Sequence, residues 1–288
     1  MSVIFGLIFG IISTLILHLA KSMERHGIEI FSKKKSFKEK GKKPLIYLIG
    51  FTLNNTIFIW QILGTTFASA AVFSSVFGLG LIGLMMYSHY ILHEELDKKE
   101  YLGAILIIIG TTSVGIFFTI EPEIVRTVNY TNFFVLIIVL LILFSVLIGF
   151  SWKARIGVAF IFGAVAGTLG GIDNVLKRIG LTSSNFLEVL AGLFRLELDS
   201  FIFAFSFLAG FLAMILTQIG FAKGADASRL VPMYNSLYIV APIAFELIIV
   251  EGAKISFGIV VSVIVIIIGV FVMNLFKKAK ENLNIAKS

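Results

Sequence analysis

Residues 131–150 read TNFFVLIIVLLILFSVLIGF, twenty consecutive positions without a charged side chain. A helix of that length spans about 30 Å, the thickness of a bilayer's hydrocarbon core. Working outward, eight more long apolar runs are bounded by charge, proline or glycine: 2–20, 44–63, 68–92, 101–119, 156–176, 199–221, 229–250 and 254–276. None alternates as a barrel strand would. The expected fold is therefore an all-α polytopic membrane protein of about nine transmembrane helices. Bulk composition agrees: of 288 residues 58% are hydrophobic and 14% charged, with a mean hydropathy of +1.01, where a soluble domain carries about 25% charged residues. Leu17-His-Leu-Ala-Lys-Ser follows the first run in place of a small-residue cleavage site, so that run reads as a retained helix. Cysteine is absent, which removes disulfides, thiol catalysis and cysteine metal sites.

The net charge of +7 is concentrated. Between the first two runs stand Lys21, Arg25, Lys33, Lys34, Lys35, Lys38, Lys40, Lys42 and Lys43 against Glu24, Glu29 and Glu39, a local excess of +6. With that loop in the cytoplasm, Lys98, Lys99, Lys153, Arg155, Lys223, Arg229 and the tail from 277 fall on the same side. Only Arg126, Lys177, Arg178, Arg195 and Lys254 fall opposite. The bias predicts a multi-pass cell-membrane protein with its N-terminus outside and its C-terminus cytoplasmic. The basic loop lacks interleaved aromatics, so the expected partner is the lipid bilayer and no nucleic acid. The stretch Asn185–Asp199 is too short to span; Phe186, Leu187, Leu190, Leu193 and Phe194 share one side of it, which suits the outer interface.

A shift of 157 residues aligns Gly6 and Gly10 with Gly163 and Gly167, Lys21 with Arg178, and Gln61-Ile62 with Gln218-Ile219. It also pairs Ala68 with Ala225, Ala70 with Ala227 and Glu94 with Glu251; after a two-residue insertion Gly110 meets Gly269. The layout this predicts is a first repeat over 1–119, a linker and central fifth helix over 120–155, a second repeat over 156–276 and a basic tail over 277–288. Because one helix separates the repeats, they are inverted, the architecture by which many secondary transporters build two exchangeable states.

The sequence Leu92-His-Glu94-Glu-Leu, then Tyr101-Leu-Gly103 and a run closing on Gly110, resembles the drug/metabolite transporter superfamily, including EamA-like proteins. The segment Leu216-Thr-Gln-Ile-Gly-Phe-Ala-Lys-Gly-Ala, followed by Arg229-Leu-Val-Pro232-Met-Tyr-Asn235, is similar to the NIPA-like magnesium-transporter branch. The resemblance implies nine helices, one of them an extra central helix, a Lys-bearing end to the first helix, here Ala20-Lys21, and Mg²⁺ as substrate. Two features depart from it: an insertion after Glu251 and a more basic first loop.

Ionisable residues inside a membrane helix need a partner or a function. Asp173 and Lys177, four apart with Asn174 beside them, read either as an intrahelical ion pair or as a pathway carboxylate with its cation. Glu246 lies one turn after Pro242, in a run that Pro232 begins. The prolines free the carbonyls of Tyr238 and Ser228, and freed carbonyls beside a carboxylate suit a hard cation. Glu246 and Asp173 are thus the candidate metal ligands. Asn54, Asn55 and Asn235 offer oxygens to an ion or hydrogen bonds between helices; Gln61 and Gln218 carry the same ambiguity. The shift sets His89 opposite Glu246, as paired gates or by coincidence, while Glu94 and Glu251 read as gating ion pairs or as solvated helix ends. His18 reads as a packed histidine, and Gly6xxxGly10 and Gly163xxxGly167 as close helix contacts.

The expected function is alternating-access transport of Mg²⁺ or another divalent cation. The alternative is an EamA-type carrier of a small organic metabolite or drug. A membrane enzyme would have only His89, His93 and Glu94 to work with, in an order unlike that of metalloproteases; a non-transporting scaffold completes the set. No catalytic residue and no cofactor is expected, no P-loop is present, and a homodimer is compatible with the layout.

Overall fold

The computed structural model describes residues 2–31, 39–67, 76–120, 127–154, 157–181, 186–252 and 254–274. Lys33, Lys34, Lys35, Lys38, Ala68, Ala70, Arg126, Arg155, Asn185 and the tail from 277 lie outside them. The described residues form eleven α-helices and no strand. These are α1 (Ser2–Gly27), α2 (Lys43–Asn55), α3 (Ile57–Phe67), α4 (Gly80–Tyr90), α5 (Lys98–Ile120), α6 (Tyr130–Ala154), α7 (Val158–Leu181), α8 (Phe186–Phe194), α9 (Leu198–Ala222), α10 (Ala227–Ile249) and α11 (Phe257–Asn274). Six of them, α1, α5, α6, α7, α9 and α10, are long and apolar enough to cross a membrane, and α11 is a shorter apolar helix.

The distribution of side chains is that of a protein solvated by lipid. Ser13, Thr14, His18, Lys21, Ser22, Glu24, Asp173 and Asn235 are buried, while Ile4, Leu15, Phe58, Ile105, Ile142, Phe211 and Ile264 face outward. A water-soluble fold would not leave so many large apolar groups outside while enclosing charges. The stretch 131–150 makes up most of α6, which carries the highest mean hydropathy of the six and is the least buried. Its helix is held by its own backbone bonds and needs little protein around it.

Small residues set the closest approaches. α7 lies against α10 along Gly163, Gly167 and Gly171. A methyl group at Gly163 would sit 2.7 Å from the Leu230 carbonyl oxygen, and one at Gly171 equally close to that of Tyr238. Gly103 of α5 and Gly269 of α11 meet reciprocally, each backbone oxygen within 2.8 Å of where the other's Cβ would stand; Gly110 faces the Ser262 carbonyl in the same way. On the other side α1 packs on α2, α3 and α4, and α7 on α9 and α10. Gly6 and Gly10 of α1 are also buried.

Several boundaries differ from the sequence expectation. The first helix continues past residue 20 to Gly27, taking Lys21 and Glu24 into the core instead of the basic loop. The loop's charge excess survives, because a lysine and a glutamate leave it together. The run 44–63 is interrupted at Thr56, whose N–H and hydroxyl both donate to the Leu53 carbonyl, at 3.0 and 2.7 Å. By contrast, α10 passes through Pro232 and Pro242 unbroken. The Tyr238 carbonyl, freed by Pro242, faces Gly171 of α7, and that of Pro232 accepts the Ser236 hydroxyl at 2.8 Å. The start of α5 is fixed by a capping box, with Glu100 N–H donating to Asp97 Oδ1 at 3.0 Å and Asp97 N–H to Glu100 Oε2 at 2.9 Å. α8 is a nine-residue helix, too short to span.

Candidate solute-binding cavity

The stripe of α1 that faces the bundle carries Thr14, Leu17, His18, Lys21 and Glu24, positions three or four apart that share one helical face. His18 is packed: its Nδ1 lies 2.7 Å from the Thr14 carbonyl oxygen and 3.2 Å from the Thr14 hydroxyl. Glu24 is fully buried. Asn54 Nδ2 donates to its Oε1 at 2.9 Å and Gln218 Nε2 donates to its Oε2, so one carboxylate ties α1 to α2 and α9. Lys21 is 2% exposed and holds its ammonium 4.1 Å above the centre of the Tyr234 ring of α10.

Beyond Lys21 opens a cavity of about 280 Å³. It is bounded by α1, the α2/α3 break, α7, α9 and α10. Lys21, Asn54, Asn55, Gln61, Asp173, Lys177, Tyr234 and Tyr238 supply its polar lining. Leu17, Ile57, Phe58, Phe207, Phe211 and Met214 supply the apolar part, with Gly170 and Gly210 leaving room between. Asp173 and Lys177 form an ion pair of 2.7 Å across one turn of α7, and the Lys177 ammonium also stands 5.1 Å over the Phe207 ring. The Tyr238 hydroxyl oxygen accepts from Gln61 Nε2 at 2.7 Å and from Asn174 Nδ2 at 2.6 Å, joining α3, α7 and α10 beside the cavity.

No family model, curated protein or solved structure matches this chain. The geometry alone therefore has to carry the functional reading. A mostly apolar enclosure with a few convergent polar groups is the usual form of a small-molecule site. Two ammonium groups on its wall make it a poor cage for a bare divalent cation, which wants an all-oxygen shell.

Of the residues marked in the sequence, Asp173, Lys177, Asn54, Asn55 and Gln61 meet at this cavity, and Asn174 and Gln218 stand behind it as hydrogen-bond partners of Tyr238 and Glu24. Asp173 thus reads both ways: it is ion-paired with Lys177 and it borders the cavity, its Oδ1 buried without a hydrogen-bond partner. Glu246 is half-buried towards the end of α10 and does not line the cavity, so the pairing of Glu246 with Asp173 around a metal is not formed there. Among the described residues no three His, Asp or Glu side chains cluster closely enough to hold a metal ion. Asn235 is buried with neither amide atom hydrogen-bonded.

The remaining marked residues sit at helix ends. Glu94 accepts the N–H groups of Ala227 and Ser228, at 2.9 and 3.0 Å, and so caps the start of α10. Glu251 faces the segment before α6, accepting Thr127 Oγ1 at 3.3 Å, next to the isolated antiparallel bridge between Val128 and Val250. His89 is exposed and edge-on to Tyr90. His93 lies beyond the end of α4 with φ +56°, so His89 and His93 do not share a helical face as a metal pair would need.

In the sequence Lys21 stands out only as the lysine that ends the first helix, and Glu24 only as a loop charge; neither is marked as a core or cavity residue. Their signal was the polar stripe of Thr14, His18 and Lys21 at helical spacing, which continues the buried face of α1 into the charged region. The break at Thr56 also had a sign. In Asn54-Asn55-Thr56 three consecutive side chains can bond their own backbone, and Asn55 Nδ2 does so with the Phe51 carbonyl at 2.8 Å.

Proposed function

We propose that this chain is an alternating-access carrier of the drug/metabolite transporter type and that it moves a small organic solute across the cell membrane. The observation that carries the reading is the half-open cavity, whose polar wall joins α1 and the α2/α3 break to α7, α9 and α10. Non-helical backbone at membrane depth is tolerated where it lines a cavity, and carriers bind where their two repeats meet. Nine crossings follow when α2 and α3 count as one broken helix, the apolar run 68–92 that contains α4 counts as one span, and α11 spans as a short helix. The first repeat then comprises α1 to α5, the second α7 and α9 to α11, with α6 between them. The reciprocal contact of Gly103 with Gly269, matched by that of Gly110 with Ser262, is what a twofold relation between α5 and α11 would produce. The charge bias supports an outside N-terminus and a cytoplasmic C-terminus.

The organic-solute reading is preferred to Mg²⁺ because, among the described residues, Lys21 and Lys177 border the same space as the only carboxylate on its wall, Asp173. In favour of a cation stands only the unbonded Oδ1 of that aspartate. Reconstitution into liposomes tests the choice. Vesicles loaded with a metabolite mixture are expected to exchange one or a few labelled organic solutes. Entry of Mg²⁺ with no organic exchange would reverse the assignment, and no movement of any solute would favour a scaffold.

A further inference from the structure

We propose that Lys21 and Tyr238 form a receptor for the carboxylate of a small monocarboxylic solute. The inference rests on the carrier reading only for what becomes of the solute after it binds. An ammonium removed from water loses three strong donor interactions, and the loss is large unless acceptors replace them. Among the described residues, nothing within 4.0 Å accepts a hydrogen bond or forms an ion pair with Lys21; its close partner is the face of the Tyr234 ring. A ring face attracts a buried cation but offers it no lone pair. Glu24, one turn further along α1, has both carboxylate oxygens taken by the amides of Asn54 and Gln218. Glu24 is therefore a through-space counter-charge and not a hydrogen-bond acceptor for Lys21, whose ammonium borders the cavity with its donors open to a solute's oxygens.

Tyr238 supplies a second donor. Its ring stacks on that of Tyr234 at 5.8 Å, and its oxygen already accepts from two amides. The phenolic proton is then left to donate, and a phenol lining the same cavity as an ammonium can meet the second oxygen of a carboxylate. The other cation on the wall, Lys177, is neutralised by Asp173. Glu24 one turn from Lys21 and Asp173 against Lys177 leave no surplus charge, which disfavours a doubly charged phosphate; what Lys21 lacks is a hydrogen-bond acceptor, and a carboxylate oxygen is the strongest that a singly charged solute offers. Phe58, Phe207, Phe211 and Met214 line the rest of the space and suit a hydrocarbon or aromatic body.

The test uses the full chain in detergent, with butyrate, hexanoate, benzoate and phenylacetate, their matching amides and inorganic phosphate as probes of the thermal midpoint. At least one acid is expected to raise the midpoint where its amide does not. Lys21→Met is expected to weaken that acid's apparent affinity by about tenfold or more, with Lys21→Arg retaining part of it, because one charge-assisted hydrogen bond is at stake. Equal protection by acid and amide, protection by phosphate alone, no protection by any acid, or unchanged affinity in Lys21→Met would each overturn the assignment. The comparison of acid with amide needs no variant, and decides the matter if Lys21→Met does not fold. Binding of an acid through Lys21 without exchange in vesicles would remove the carrier reading and leave the receptor. Exchange of a neutral solute untouched by Lys21→Met would do the reverse.

Discussion

Glu24 is a fully buried carboxylate whose two oxygens are each met by one amide, from Asn54 and Gln218. Removing a donor from a buried acceptor costs the desolvation of the group left behind, about 1–3 kcal/mol and more where that group is charged. Asn54→Ala is therefore expected to lower stability by at least that amount, read as an earlier midpoint in detergent unfolding; an unchanged midpoint would mean that Glu24 finds another partner. Asn54 was visible in the sequence as an amide in mid-helix, but its partner was not. Lys21 and Glu24 stand where an apolar run gives way to lysines, and there charge ordinarily marks a helix end. What makes them core residues is the helical phase they share with Thr14 and His18. Which face of α1 turns inward is set by its packing, chiefly on α2, α3 and α4, and the partners of Lys21 and Glu24 on α10 and α9 are distant in sequence.

At the level of elements, the glycine face of α7 is the most exacting contact. Alanine at Gly171 would bring its methyl group to 2.7 Å from the Tyr238 carbonyl oxygen and 2.8 Å from the Pro242 ring. Backbone on one side and a proline ring on the other leave little to yield, and overpacking of this kind costs about 1–3 kcal/mol. Gly171→Ala should unfold correspondingly earlier, whereas Gly149→Ala, with open space around it, should not. At the start of α10, Glu94→Ala would strip the acceptor from two helix-terminal N–H groups, an effect of about 1 kcal/mol by analogy with N-caps, seen as faster amide exchange at Ala227 and Ser228. The helices themselves were legible wherever the apolar run was long, as in α6. The breaks were not. Pro232 and Pro242 suggested interruption, yet α10 continues through both, with the Tyr238 carbonyl freed by Pro242 packed against Gly171 of α7. At Thr56 the mark is only three consecutive side chains able to bond their own backbone, and its hydroxyl turns back on the Leu53 carbonyl where α2 ends.

For the whole molecule, composition placed the chain in a membrane because burial is reversed in lipid: the outside is leucine, isoleucine and phenylalanine, and the inside holds the charges. The candidate cavity could be read from sequence only in pieces. Asp173 and Lys177 announce themselves by spacing, and Gln61 by its repeat partner, but only folding brings them to one wall with Lys21 and Tyr238. Glu246 looked equivalent on paper and lies elsewhere, since position along a helix does not determine which face it presents. The central claim is that this wall is reached in turn from both sides of the membrane. The absence of native cysteine makes it directly measurable, through a single cysteine at Asn55, which is exposed and borders the cavity. A membrane-impermeant thiol reagent applied to right-side-out and to inside-out vesicles should modify Asn55→Cys from both faces. Modification from one face only, with the other face remaining unreactive, would contradict alternating access.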